Sequence, residues 1–174
     1  MNTTVKARLR SEQGFGLIEL LISMVMLNVG ILALVAAFNS GALALQRAAQ
    51  TSTASVLADK QLELYRALNW SAITLKSGTG AGSVTDACAD TTYAAGLSPC
   101  ATQVTAVCTV VTPQCSAMQT VTGPDGNSYR VDTYIVSDPT PNGRAVKRVT
   151  VAIRKTSTLT LLARVMSTFD QSTG

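Results

Sequence analysis

The chain's 174 residues are enough for one domain with a core of its own plus an appendage. With 47% apolar and 14% charged residues, it is not an intrinsically disordered chain. Half of the net charge of +4 comes from Lys6, Arg8 and Arg10 against Glu12, and the rest is too weak to argue for a nucleic-acid binder.

Histidine is absent. The usual general base at neutral pH and the commonest metal ligand are therefore both missing. Ser/His and Cys/His nucleophile pairs are excluded, and so is any zinc site that needs imidazole. No other acid–base constellation stands out, so the chain reads as a non-enzyme without a cofactor.

The first feature along the chain is the short basic segment, which ends at Gly14. A run of 24 mostly apolar residues follows, from 15 to 38. As a helix it extends roughly 36 Å, enough to cross a bilayer. The basic residues next to it, Lys6, Arg8 and Arg10, lie on its N-terminal side, a bias that keeps that side cytoplasmic and sends the remainder outside. Three readings compete. A secretory signal peptide has a cleavage candidate at Ala42-Leu43-Ala44, but the apolar run is longer than such signals carry. A plain single-span anchor explains length and orientation. It leaves Glu19 unexplained, because a carboxylate in hydrocarbon costs about 2.5 to 3.5 kcal/mol on insertion.

The third reading accounts for Glu19. Gly14, then Phe15-Gly16-Leu17-Ile18-Glu19, then the apolar run, resembles the N-terminal signal of type IV pilins and pseudopilins. The resemblance implies that a prepilin peptidase cuts between Gly14 and Phe15, that the new amine of Phe15 is N-methylated, and that Glu19 is the fifth residue of the mature chain. Glycine suits a bond that an enzyme must approach closely. It implies further that the amine of an incoming subunit pairs with a neighbour's Glu19, so that the charge sets register between helices. The partners implied are other pilin subunits, the prepilin peptidase and methyltransferase, and an inner-membrane assembly platform. The run LISMVMLNVGILAL, with the Gln/Ala/Thr-rich helix after it, is most similar to PilV-like minor pilins, with a type II secretion pseudopilin as the near alternative. A single-span protein with an exterior binding domain is the more distant one.

Inside the run, Ser23 is placed to bond back to a carbonyl four residues earlier. Asn28 and Gly30 read as tolerated small or polar positions, or as a packing surface for another helix. No proline precedes Pro99, so no proline kink is expected.

No glycine or proline interrupts residues 42–76. Ala54, Leu57, Ala58, Gln61, Tyr65 and Leu68 recur close to one helical face, with Gln61 its imperfect member. The reading is one helix from about residue 15 to about 70, roughly 80 Å long. In segments, 1–14 is a leader, 15–38 the membrane and assembly half of the helix, 39–76 the amphipathic half, and 77–174 a loop region and β-sheet head.

The stretch from Ser77 onward is rich in Gly, Ser, Thr and Ala and reads as loop. Gly78-Thr79-Gly80-Ala81-Gly82 lacks the lysine of a phosphate-binding loop. Cys88, Cys100, Cys108 and Cys115 fall within 28 residues without a C-x-x-C spacing. An even count beyond a membrane span reads as two disulfides in an oxidising compartment. Of three connectivities, Cys88–Cys100 with Cys108–Cys115 closes the shortest loops and is preferred.

Strand signals cover 104–111, 129–136, 146–154 and 159–169. Tyr129, Val131, Thr133 and Ile135 share one face, as do Val149, Val151 and Ile153. Turns at 123–127 and 138–143 make consecutive strands antiparallel. The fold class is α+β: a long N-terminal helix packed by its second half on an antiparallel sheet, as in pilins. The basic residues Arg144, Lys147, Arg148, Arg154, Lys155 and Arg164 read as a solvated sheet face or a subunit contact. Too few aromatics accompany them for nucleic-acid binding. Asp86, Asp90, Asp125 and Asp132 match no calcium loop, so no metal is assigned.

Overall fold

The computed structural model describes residues 16–95, 100–108, 112–139 and 145–171. The chain divides into two units, Met1–Leu45 and Gln46–Gly174, and one helix, α1 (Leu17–Arg66), runs through both.

In the first unit every described residue is exposed, including Leu17, Ile18, Leu20, Leu27, Leu32 and Phe38. This is the stretch that makes α1 long and apolar enough to cross a membrane, the only such helix among the described residues. A helix that is apolar all round has no side that prefers water, so its partner must be lipid or other apolar helices.

The second unit begins with the amphipathic part of α1. Ala54, Ala58, Gln61, Leu62 and Tyr65 are buried there, at the three- and four-residue spacing of one stripe. Leu57 and Leu68 pack partly buried against the same core. The helix ends at Arg66, short of the expected 70 and well short of a boundary at 76. Asn69 is extended at its start of a 3-10 turn, Trp70–Ala72, and a two-residue strand β1 (Leu75–Lys76) follows. With no Gly or Pro here, the stop is not written locally. Burial of Ile73 and Leu75 in the core decides it.

Two short helices stand in the segment read as loop: α2 (Val84–Ala89) and α3 (Thr91–Ala94). Ser83 Oγ caps α2 by accepting from Asp86 N, and Asp90 Oδ1 caps α3 by accepting from Thr92 N and Tyr93 N. Of the strand expected over 104–111, only β2 (Thr105–Ala106) is strand, and it pairs parallel with β1; residues 109–111 lie outside the described residues.

The main sheet has four antiparallel strands in chain order, β3 (Met118–Thr122), β4 (Ser128–Pro139), β5 (Ala145–Lys155) and β6 (Leu161–Asp170). Register sets Ile135, Thr133 and Val131 opposite Val149, Val151 and Ile153. All six are buried on one face. The α1 stripe covers that face: Gln61 Oε1 accepts from Gln119 Nε2 at 3.1 Å, and Leu57 and Leu64 line a cavity with Val121 and Val131. The opposite face of β4 is buried too, by α3: the rings of Tyr93 and Tyr134 stack with centroids 4.4 Å apart. The Tyr93 hydroxyl donates to Thr133 O at 2.6 Å. The head is thus layered as helix, sheet and capped loop.

Candidate assembly site

Glu19 lies in the first turn of α1. Its backbone N–H donates to Gly16 O at 2.9 Å, and Leu20 N–H donates to the same oxygen at 3.2 Å. Ser23 Oγ donates to Glu19 O at 2.8 Å, and Asn28 Nδ2 to Met24 O at 3.0 Å. Ser23 and Asn28 each thereby have a partner within their own helix, so neither breaks it. The Glu19 side chain is exposed and makes no salt bridge among the described residues. An acidic group in this turn sits at the positive end of the helix dipole. Gly14 and Phe15 lie outside the described residues.

The cysteines form the disulfides Cys88–Cys100 and Cys108–Cys115. The first ties α2 to the turn Cys100–Thr102; the second closes the loop that follows β2.

The acidic residues do not gather. Asp125 accepts from Asn127 N, Asn127 Nδ2 and Tyr129 Oη within the β3–β4 turn. Asp90 and Asp132 both serve Arg130. Nη1 of Arg130 reaches Asp90 at 2.7 Å and its Nε reaches Asp132 at 2.8 Å, while Arg154 Nε meets the second oxygen of Asp132 at 3.0 Å. The Arg130 hydrogen bond holds Asp90 well down, from 3.8 to about 2. Among the described residues no group of three His, Cys, Asp or Glu side chains could hold a metal.

The expectation of a solvated basic face needs correction at two positions. Lys147 is buried, and its Nζ donates to Trp70 O at 2.7 Å and Ile73 O at 2.9 Å, 4.2 Å from the Trp70 ring centroid. Arg154 is bound to Asp132. Both are structural cations. The sequence missed this network because it treated the polar face of the strands as wet. Its signal was Arg130 and Asp132 at strand spacing on a run otherwise built of core residues.

A family model described as the prokaryotic N-terminal methylation motif matches residues 9–35. The chain carries that motif, and the motif supports the type IV pilin and pseudopilin family. No curated protein and no solved structure matches the chain. The matched residues take in Arg10, Gly14, Phe15, Glu19 and most of the apolar run. That family is structural rather than enzymatic. The motif implies processing by a prepilin peptidase and assembly with other pilins, and with the apolar helix it fits a membrane-anchored pilin that later joins a pilus.

Proposed function

We propose that this chain is a minor pilin-like subunit of a type IV pilus, of the PilV-like kind. Before assembly it waits in the inner membrane, residues 15–38 spanning the bilayer, its N-terminus cytoplasmic and its head outside. The orientation rests on Lys6, Arg8 and Arg10, which stand on one side of the run only.

Prepilin peptidase removes residues 1–14 by cutting the Gly14–Phe15 bond, and the freed amine of Phe15 is methylated. The mature chain then opens with a positive amine four residues ahead of the Glu19 carboxylate. Each charge is costly alone among apolar helices, and each is relieved by the opposite charge of a neighbouring subunit. Pairing the amine of one copy with Glu19 of the next fixes how far each helix slides before it stops. The apolar surface of 17–38 provides the cohesion.

The observation that carries this reading is Glu19, the one charged residue of the run 15–38, standing in the first turn of α1 and inside the matched motif. Mass spectrometry of the mature N-terminus tests it. The expected product begins at methylated Phe15. A protein that retains Met1 or its neighbours in assembled filaments overturns the reading, and recovery from a secretion pseudopilus instead of a pilus would reassign it to type II secretion.

A further inference from the structure

The amphipathic part of α1 and strand β3 leave a cavity of about 240 Å³ between them. Leu57, Leu64, Val121 and Val131 make its apolar walls. Its amides are already engaged: Gln61 Nε2 donates to Pro113 O at 2.8 Å, and Gln119 Nε2 donates to Gln61 Oε1 at 3.1 Å. An apolar occupant therefore strands neither amide nitrogen. Lys60 is the one charged residue of the lining, and it is exposed, which puts its ammonium at the mouth. No ion pair holds it among the described residues. The cavity thus fits an apolar side chain with a carboxylate beside it.

The same helix carries that combination on another face. Val56 is 59% exposed, and Asp59 follows one turn on, so the two side chains are neighbours. The buried stripe of Ala54, Ala58, Gln61, Leu62 and Tyr65 lies on the opposite face. Asp59 is exposed and has no ion-pair partner among the described residues, whereas Glu63, the next carboxylate, is paired with Arg66. The other exposed large apolar side chains of the head fit less well. Leu161 faces Arg154 across the sheet, and Met166 shares a sheet face with Arg164, the wrong sign for Lys60. Val107 has no acidic residue near it in the chain.

We propose that Val56 of one copy seats in this cavity of a second copy, with Asp59 of the first paired to Lys60 of the second. Charge complementarity selects this occupant. One membrane and one filament give every copy the same polarity, so neighbours meet through unlike patches, and such a contact builds a helical filament when its rotation does not close. Cavity and knob are unlike patches, and each copy carries both. Burial of Val56 supplies apolar contact, while the Asp59–Lys60 pair at the rim supplies direction more than strength. The contact rests on the pilus reading and extends it: Glu19 sets how far a helix slides, and Val56 sets which part of the neighbouring head it meets.

The test uses the full chain in its assembled filaments. Val56 and Leu64 lie on one helix about 12 Å apart along its axis, beyond disulfide reach within a copy. A chain with both Val56→Cys and Leu64→Cys is expected, on mild oxidation, to give a ladder of linked subunits, because each copy offers both ends of the contact. Either single variant should stay monomeric. Lys60→Glu alone and Asp59→Lys alone should each lower incorporation into filaments about threefold to fivefold. Both changes in one chain restore opposite charges across the contact and should restore incorporation. That rescue separates the contact from a folding defect. A cross-linked product that stops at the dimer, or a charge-swapped chain no better than its single parents, overturns the proposal. Normal incorporation without a ladder overturns the contact and leaves the pilus reading standing. A wild-type chain absent from filaments overturns both.

Discussion

Asp90 and Arg130 meet at 2.7 Å on the sheet face opposite α1, and the same carboxylate caps α3 through its other oxygen. One side chain therefore fixes a short helix and neutralises a buried guanidinium. The Arg130 hydrogen bond lowers the folded pKa of Asp90 to about 2. A carboxylate whose folded pKa lies below its unfolded one adds stability that is complete above the unfolded value, about 4, and disappears as pH falls through the folded value. Urea unfolding between these limits should show stability falling with acid. Asp90→Asn keeps the cap but should flatten that slope, and Asp90→Ala should cost about 2–3 kcal/mol at neutral pH.

Lys147 pins β5 to the turn that ends the helical segment. Lys147→Met removes two charge-assisted hydrogen bonds, takes the Nζ donor from Ile73 O, and leaves Trp70 O with the 3.3 Å bond from Ile73 N. The expected loss is about 2–3 kcal/mol. Trp70 is the single tryptophan, so a change in its native emission should accompany the loss. Unchanged emission and unchanged stability would show that the contact is dispensable.

Gly123 separates steric need from backbone need. A Cβ there would lie 2.7 Å from the Tyr129 ring and 2.9 Å from Thr53 Cγ2, where the hairpin crosses α1. Gly126 has φ 75° and open space around it. Gly123→Ala is expected to cost about 2–3 kcal/mol through overpacking. Gly126→Ala should cost about 1 kcal/mol through left-handed backbone alone. Thermal melts of the two variants should keep that order.

The two disulfides close loops of sequence separation 12 and 7. Replacing Cys88 and Cys100 by serine should cost about 3 kcal/mol, and replacing Cys108 and Cys115 about 2.5 kcal/mol, on the chain-entropy account. All four sulfurs should resist alkylation until reduction, and peptide mapping should recover the sequential pairs. Labelling of any cysteine in the unreduced native protein contradicts this.

Glu19→Ala should leave membrane insertion intact, since it removes only a polar cost from the span. Incorporation into filaments should fall by about tenfold or more, because the neighbour's amine loses its partner. Glu19→Gln should behave nearly as badly if charge, rather than hydrogen bonding, sets the register. Counting subunits in sheared filaments by immunoblot measures both effects. Normal incorporation of the alanine variant would count against charge pairing.

Much of the head was legible where neighbours in the chain suffice. The Val149, Val151 and Ile153 face and the Tyr129 to Ile135 face were visible as alternation, because one buried face imposes a period of two. β3 was not, although the Gly123–Asn127 turn demanded a strand ahead of it; Met118–Thr122 is too polar to stand out. The α2 and α3 helices were hidden because their length is below what periodicity can show, and only the Ser83 and Asp90 caps announce them.

The candidate site divides the same way. Glu19, Gly14 and the apolar run are consecutive, so a linear motif contains all of their chemistry. The polar core is not linear. Asp90 and Arg130, Lys147 and Trp70, and Gln61 and Gln119 are separated by 40, 77 and 58 positions. Sequence by itself determined which segment belongs in apolar surroundings, because hydropathy and helical length are local sums. Only the tertiary structure decided which charges on the head are buried: that depends on what covers the second face of the sheet, and no strand carries that information in its own residues.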